Sequence, residues 1–460
     1  MHNRRTRLTF STLVFSLVLL CGLLLQGCGG SPAPGGANGP VTITVAYQRF
    51  GPPPYIEENW WLKTKQQVEA SNPNIKIKLE PIVADEGGYY TKIDLMMRSA
   101  NTAPDIVRED SFLVASDVTA GYLAPLDNYL SSWPEYQQWF PSMQQITTFN
   151  GHNYGIMSST DARLIWFNKD IFKQAGLPAD WQPNTWADIL SAAHAVKAKV
   201  PGVIPLNLYS GVPMDEASSM QGFEMLLYGT KDPLYNYQTK KWVVSSKGFQ
   251  DALDFVKQVY NPADLLGPTN DIALSTQANN IVQQQLMPKG KVAINIDGSW
   301  ISRTWIPGGT TPWPQWKDTI GVAKMPTQLG QAPYHVSLSG GWAYSISAQS
   351  QHKDQAFEIL KVLNSKDSLA AHVVDLRGIA ARKDVADVPA YQALPYYDYF
   401  NTVMTYSLFR PAFPAYPKIS VQIDSAMQHV MSGQSPSDAM SAFAQAVTGI
   451  AGADNVETHT

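Results

Sequence analysis

The stretch VTITVAY, Val41–Tyr47, is a run of β-branched and aromatic residues that stops at QRFGPPP, where prolines end any regular element. The segments after it decide the fold. Trp60 to Ala70 carries helix formers, and NIKIKLEPIV, Asn74–Val83, alternates Ile75, Ile77 and Leu79 on a period of two. Tyr89 to Ala100 returns to helical spacing through Ile93, Met96 and Met97. PDIVRED, Pro104–Asp110, then reads as a short strand with an acidic end. A β-α-β-α-β succession of this kind predicts a parallel α/β sheet.

Farther along, Leu164–Phe167 is strand-like and is followed by Asn168-Lys169-Asp170 and a helix. PNT at Pro183–Thr185 introduces a helix from about Trp186 to Val200, with Asn184 or Thr185 as its N-cap. Phe249–Tyr260 and Ala356–Asn364 have the apolar spacing of amphipathic helices, and KGKVAINIDGSW, Lys289–Trp300, reads as a strand bounded by glycine. No internal repeat is present, and the only low-complexity stretch follows Cys28.

The N-terminus carries Arg4, Arg5 and Arg7, an apolar run from Leu8 to Leu25, and then Leu25-Gln26-Gly27-Cys28. A basic start, an apolar middle and a small residue before the cut make a secretory signal. The spelling Leu-x-Gly-Cys resembles the lipobox of bacterial lipoproteins, which implies that Cys28 is acylated and becomes the new N-terminus. Residues 1–27 are then the signal and residues 28–40 a Gly- and Pro-rich flexible tether. An uncleaved signal anchor is the alternative, because the apolar run almost spans a bilayer.

Removing 27 residues from 460 leaves 433, more than one core normally serves, so two lobes are expected. A net charge of -4 without a basic stripe argues against a nucleic-acid partner. The two cysteines are Cys21, inside the signal, and Cys28, so the mature chain has no disulfide pair. The eight His show no metal spacing, and no catalytic motif is apparent, so no metal, cofactor or enzymatic role is expected. The 13 Trp and 21 Tyr serve either a large core or the flat faces on which sugars stack.

Several segments in order resemble the extracellular solute-binding proteins of carbohydrate ABC importers, the group that includes maltose-binding protein. They are APDIVRED, GYLAPLDNYL, YGIMSSTDARLIWFNKDIFKQAGL, PNTWADIL, KGKVAINIDGSW, SGGWAYSIS, AFEILKVLNS and RPAFPAYPKI. The resemblance implies an α/β fold of two lobes with a hinge and an interlobe ligand cleft, of the periplasmic-binding-protein kind. It places lobe one at 41–160 and 320–368 and lobe two at 162–318 and 369–455. It implies a monomer outside the membrane, held by lipidated Cys28, that delivers a sugar or oligosaccharide to the transmembrane subunits of an ABC permease.

The resemblance also nominates ligand contacts. Glu109 and Asp110 end a strand and could accept sugar hydroxyls, or they are solvated loop acids. Asp161 matches an acidic position near the hinge, unless Arg163 neutralises it in a structural pair. Trp300 and Trp342 match aromatics that stack on a pyranose face, with core packing as the alternative; Trp166 and Trp186 are expected to be packing residues. Gly340 and Gly341 would admit close backbone approach to a ligand. Arg410 follows a pattern near the cleft or makes a surface salt bridge, and Gln48 is a further polar candidate. Two other functions stay open: an extracellular carbohydrate-active enzyme, and a two-lobed receptor for a polyamine or oligopeptide.

Overall fold

The computed structural model describes residues 39–49 and 53–459. The expected signal, Cys28 and nearly all of the tether lie outside the described residues. The β-rich run pairs in parallel with its neighbour over the full span from Val41 opposite Ile75 to Arg49 opposite Val83. It pairs in parallel on its other edge with Ile106–Asp110. Two strands from later in the chain complete this first sheet, in the order Ile75–Val83, Val41–Arg49, Ile106–Asp110, Trp342–Ile346, Ile156–Met157. The last two pairings are antiparallel.

A sheet buried on both faces needs apolar cover on each. Helix Ile56–Ser71 supplies Trp60, Trp61 and Val68 to one face, and Trp61 Nε1 donates to Tyr344 Oη at 2.6 Å. Helix Glu86–Met97 supplies Tyr89, Ile93 and Met97 to the other.

The second sheet runs Ile320–Ala323, Arg163–Asn168, Val292–Gly298, Ile204–Asn207. Its covering helices include Trp186–Lys199, whose start is set by a capping box. Thr185 Oγ1 accepts from the Asp188 amide at 3.2 Å, while Asp188 Oδ2 accepts from the Thr185 amide at 3.0 Å. Trp166 and Trp186 are buried here, as the sequence predicts.

The packing differs from the expected lobe division in two stretches. Ile320–Ala323 hydrogen-bonds antiparallel to Arg163–Asn168, and Met325, Val336 and Leu338 join the second core. Conversely Leu369, Val373, Ala380, Val385 and Tyr391 pack into the first core. Strand pairing and apolar faces, not chain order, decide which core each segment joins. The chain consequently passes between the two cores at 157–162, 338–343 and 391–400.

Strand alternation overturns one expected contact. Along Ile106–Asp110 successive side chains face opposite sides, so Arg108 and Asp110 share one face while Glu109 takes the other with Val107. Glu109 is 1% exposed and Asp117, beside it, 4%. Burial and the Asp117 charge hold the Glu109 carboxyl well above its usual range, so it keeps its proton and donates it to Asp117. Burial moves Asp117 itself up to about 7. Adjacent acids at a strand end therefore do not act together: only one can face a ligand.

This pair links stability to pH. The unfolded chain ionises both acids near pH 4, whereas the folded pair retains a proton, so the pair favours folding at low pH and loses that contribution as pH rises toward 7 and beyond. Glu109→Gln, which removes the titrating proton, should flatten the dependence by up to about 1.4 kcal/mol per pH unit. Thermal unfolding of both proteins at pH 5 and pH 8 checks this; the variant should gain on the wild type at pH 8, and an equal offset at both values would refute it.

Candidate functional site

The carboxyl ends of parallel strands are where open α/β sheets bind ligands. Here those ends from both sheets face one cleft of about 260 Å³. From the first sheet come Gln48 and Asp110; from the second come Trp300, just past Val292–Gly298, and Tyr209, just past Ile204–Asn207. Gln48, Asp110, Asp161, Arg163, Trp300, Gly341, Trp342 and Arg410 all line the cleft, whereas Glu109 does not.

The two tryptophans are half-buried, each with one face covered by an arginine. Arg108 lies over the Trp342 ring at 3.8 Å, and Arg163 over the Trp300 ring at 4.8 Å. Such cation–π contacts fix the plane of each ring. Gly298 is required by this geometry, because a Cβ there would fall 2.0 Å from the Trp300 ring.

Gly341, which lines the cleft, also serves the packing of the chain itself. Its φ is +130° and a Cβ would meet the Ser159 carbonyl at 2.3 Å, so its lack of side chain admits another segment of this chain. Beside Gly340 the corresponding space is taken by the Arg410 guanidinium. Here two of the passages between the cores are tied together: Thr160 Oγ1 donates to the Gly340 carbonyl at 2.8 Å, and the Gly340 amide donates to Asp161 Oδ1 at 2.9 Å. Arg163 Nη1 donates to the same Asp161 oxygen, so the structural pair exists at the cleft wall.

Arg410 is buried, and its partners come from both cores. Its Nη2 reaches Asp110 Oδ1 at 2.7 Å, and its Nη1 reaches Glu216 Oε2 at 2.7 Å. Tyr90 Oη donates to the remaining Asp110 oxygen at 3.1 Å, and Ser420 Oγ to Glu216 Oε1 at 2.6 Å. The expected surface salt bridge is thus an internal one. Gln48 is also buried, and its Nε2 donates to the Ala84 carbonyl at 3.2 Å.

Sequence reading passed over Arg108, Arg303, Glu57 and Glu86, which also line the cleft. Arg108 was within reach, since it lies two residues before Asp110 on a strand and must share its face. Glu57 accepts a hydrogen bond from Tyr344 Oη and lies 3.6 Å from Arg108 Nη2. Burial alone would raise its pKa, but the Arg108 charge and the Tyr344 hydrogen bond hold it below the usual value. His372, stacked on Trp60 at 3.8 Å, is driven down to about 4 by burial and is neutral. Loss of solvent in the cleft, followed by the charges of Asp110, Asp215 and Glu216, pushes Glu86 up to about 7. Its side chain is exposed, so those carboxylates are the cause the geometry best supports.

Among the described residues no cluster of three or more His, Cys, Asp or Glu is placed to hold a metal ion, and no helix is long and apolar enough to cross a membrane.

The arabinooligosaccharide-binding protein of Bacillus subtilis is 24% identical over 350 residues, covering 75% of this chain and 73% of its own. An ABC transporter solute-binding protein from Thermotoga lettingae, solved with α-D-tagatose, superposes with a TM-score of 0.74 at 24% identity over 89% of this chain and 99% of its own. The GacH receptor of Streptomyces glaucescens, solved unliganded and with acarbose, gives 0.74 at 22% identity over 89% and 98%. These superpositions make the fold a two-lobed one, with the cleft between the lobes. The family model described as bacterial extracellular solute-binding protein matches residues 54–370, and the chain belongs to that family.

Proposed function

We propose that the protein is the sugar-capturing component of an ABC importer, binding a sugar or oligosaccharide in the interlobe cleft and passing it to the permease. The observation that carries this reading is the cleft wall itself: two tryptophan rings, each held flat by an arginine, among fixed hydrogen-bonding groups. Aromatic faces take sugar rings, and held carboxylates and guanidiniums take hydroxyls. A micromolar receptor needs only about 8 kcal/mol in all. The sugar-binding names of the relatives support the same class. On this reading the nominated cleft residues are ligand contacts, Glu109 excepted. The lobes follow core membership, with 320–338 in the second and 369–391 in the first.

An enzymatic role fits less well. Asp110 and Asp161 are each engaged by an arginine, which suits fixed acceptors better than the protonated acid and free nucleophile of a glycoside hydrolase. The receptor acts outside the membrane as a monomer, held there through lipidated Cys28.

Thermal unfolding of the detergent-purified chain against mono- and oligosaccharides tests the class, because a ligand that binds only the folded state raises its melting temperature. A sugar in the panel should raise it without turnover; a shift only with polyamines or peptides would overturn the sugar reading.

The tryptophans offer a sharper check. Loss of a stacked ring in Trp300→Ala or Trp342→Ala should cost about 1–3 kcal/mol of sugar affinity, roughly 5- to 150-fold. Loss of a ring that only packs should instead cost about 3–5 kcal/mol of fold stability and leave affinity nearly intact. Titration calorimetry and unfolding on both variants separate the two.

For the anchor, mass spectrometry of the mature N-terminus should find Cys28 first in the chain and carrying acyl groups. Two chains hold a protein to a bilayer where one binds marginally. An unmodified Cys28 still preceded by Gly27 ends the lipoprotein reading.

A further inference from the structure

The cationic groups of the cleft are not all accounted for within the protein. Arg49 pairs with Glu58, Arg163 with Asp161, and Arg410 with Asp110 and Glu216. Arg303, on the 3₁₀ turn Ile301–Thr304, is different: its guanidinium lines the cleft and makes no hydrogen bond or ion pair with a described residue. Arg108, across the cleft on the first sheet, lies over the Trp342 ring and makes a 3.6 Å ion-pair contact with Glu57, too long for a hydrogen bond, and its buried Nε has no partner among the described residues. A third donor, the buried Thr310 hydroxyl, also lines the cleft without a partner.

The Arg108 Nε and the Thr310 hydroxyl are buried, where a missing partner is costly, while the half-buried Arg303 guanidinium stays open to the cleft. Guanidiniums recognise planar or tetrahedral oxyanions through paired N–H groups. Glu57 carries one negative charge against these two guanidiniums, so this pair of arginines is locally one carboxylate short. Repulsion is already felt there, since burial and then Arg108 lower the Arg303 pKa. The cleft also holds more acids than bases, which taken alone would favour a cationic solute. The acids other than Glu86, however, are held by partners within the protein. Asp110, Asp161, Glu58 and Glu216 are in the ion pairs above, and Asp297 is enclosed by Tyr209, Gln283, Asn295 and the Gly298 amide. Glu86 influences Arg303 but lies beyond ion-pair distance of it.

We infer that Arg108 and Arg303 form an oxyanion clamp, and that the ligand is an acidic sugar whose carboxylate or phosphate ester they grip from the two lobes. This rests on the sugar-receptor reading and narrows it. The charged group would be the part of the ligand bound to both lobes at once, so neutralising the clamp would favour closure.

The test is titration calorimetry on the detergent-purified full chain with matched probes: digalacturonate against galactobiose, glucuronate against glucose, and glucose 6-phosphate against glucose. Inorganic phosphate and succinate serve as sugar-free oxyanions. At least one acidic member should bind roughly 10- to 100-fold more tightly than its neutral partner, and the pair that does so tells carboxylate from phosphate ester. Arg303→Gln should weaken that acidic ligand far more than its neutral counterpart, and Arg303→Lys should recover part of the loss; unfolding of the free variants shows that they are folded. Neutral members binding as tightly as acidic ones overturn the clamp while leaving the sugar reading standing. Binding of phosphate or succinate with no sugar upholds the clamp and removes the sugar reading. No binding by any acidic probe, or equal losses for both members of a pair in Arg303→Gln, overturns the clamp.

Discussion

A charged guanidinium buried at the junction of two cores must find carboxylates, and Arg410 finds one on each side. Asp110 stands at the end of a first-sheet strand and Glu216 beside the helices of the second core, both 2.7 Å away. Removing one partner of such a pair leaves an uncompensated buried charge, at a cost of about 3–5 kcal/mol. The positions of the surrounding groups follow from that demand. Asp110 is not free to turn, Tyr90 and Ser420 are drawn in to satisfy the remaining oxygens, and Gly340 has to lack a side chain to leave room for the guanidinium.

The sheet that starts the fold was legible because it is written locally. Val41–Arg49, Ile75–Val83 and Ile106–Asp110 are consecutive, their helices lie between them, and the periods change from 2 to 3.6 where the elements change. The lobe boundaries were not legible in the same way. Nothing local in Ile320–Ala323 names its partner, and only the free edge of Arg163–Asn168 decides that it joins the second sheet. Pairing across long separations leaves no local mark.

Among the nominated residues, two flagged by a short motif do line the cleft: Trp300 and Trp342 each follow glycine closely. Glu109 failed because two neighbouring acids were read as one feature, against the alternation that a strand imposes. Arg303 was missed for the opposite reason. It sits in a short turn with no periodicity, and an arginine there looks like any solvated charge until its lack of a partner among the described residues is seen.

Strand Trp342–Ile346 lies between Ile106–Asp110 and Ile156–Met157, both of which precede it by a long stretch of chain. A still longer separation is spanned by the Trp60 Nε1 bond to Ser368 Oγ, 308 residues apart. The first sheet therefore lacks one of its inner strands until most of the chain exists. During synthesis its two inner edges stay open, with unpaired backbone groups, while the intervening core is made. Folds dominated by such late, distant contacts are slow to form, and open edges are prone to pair with the wrong chain. The architecture that sets a binding cleft between two lobes thus also ties completion of the first lobe to the arrival of residues encoded after the sheet of the second.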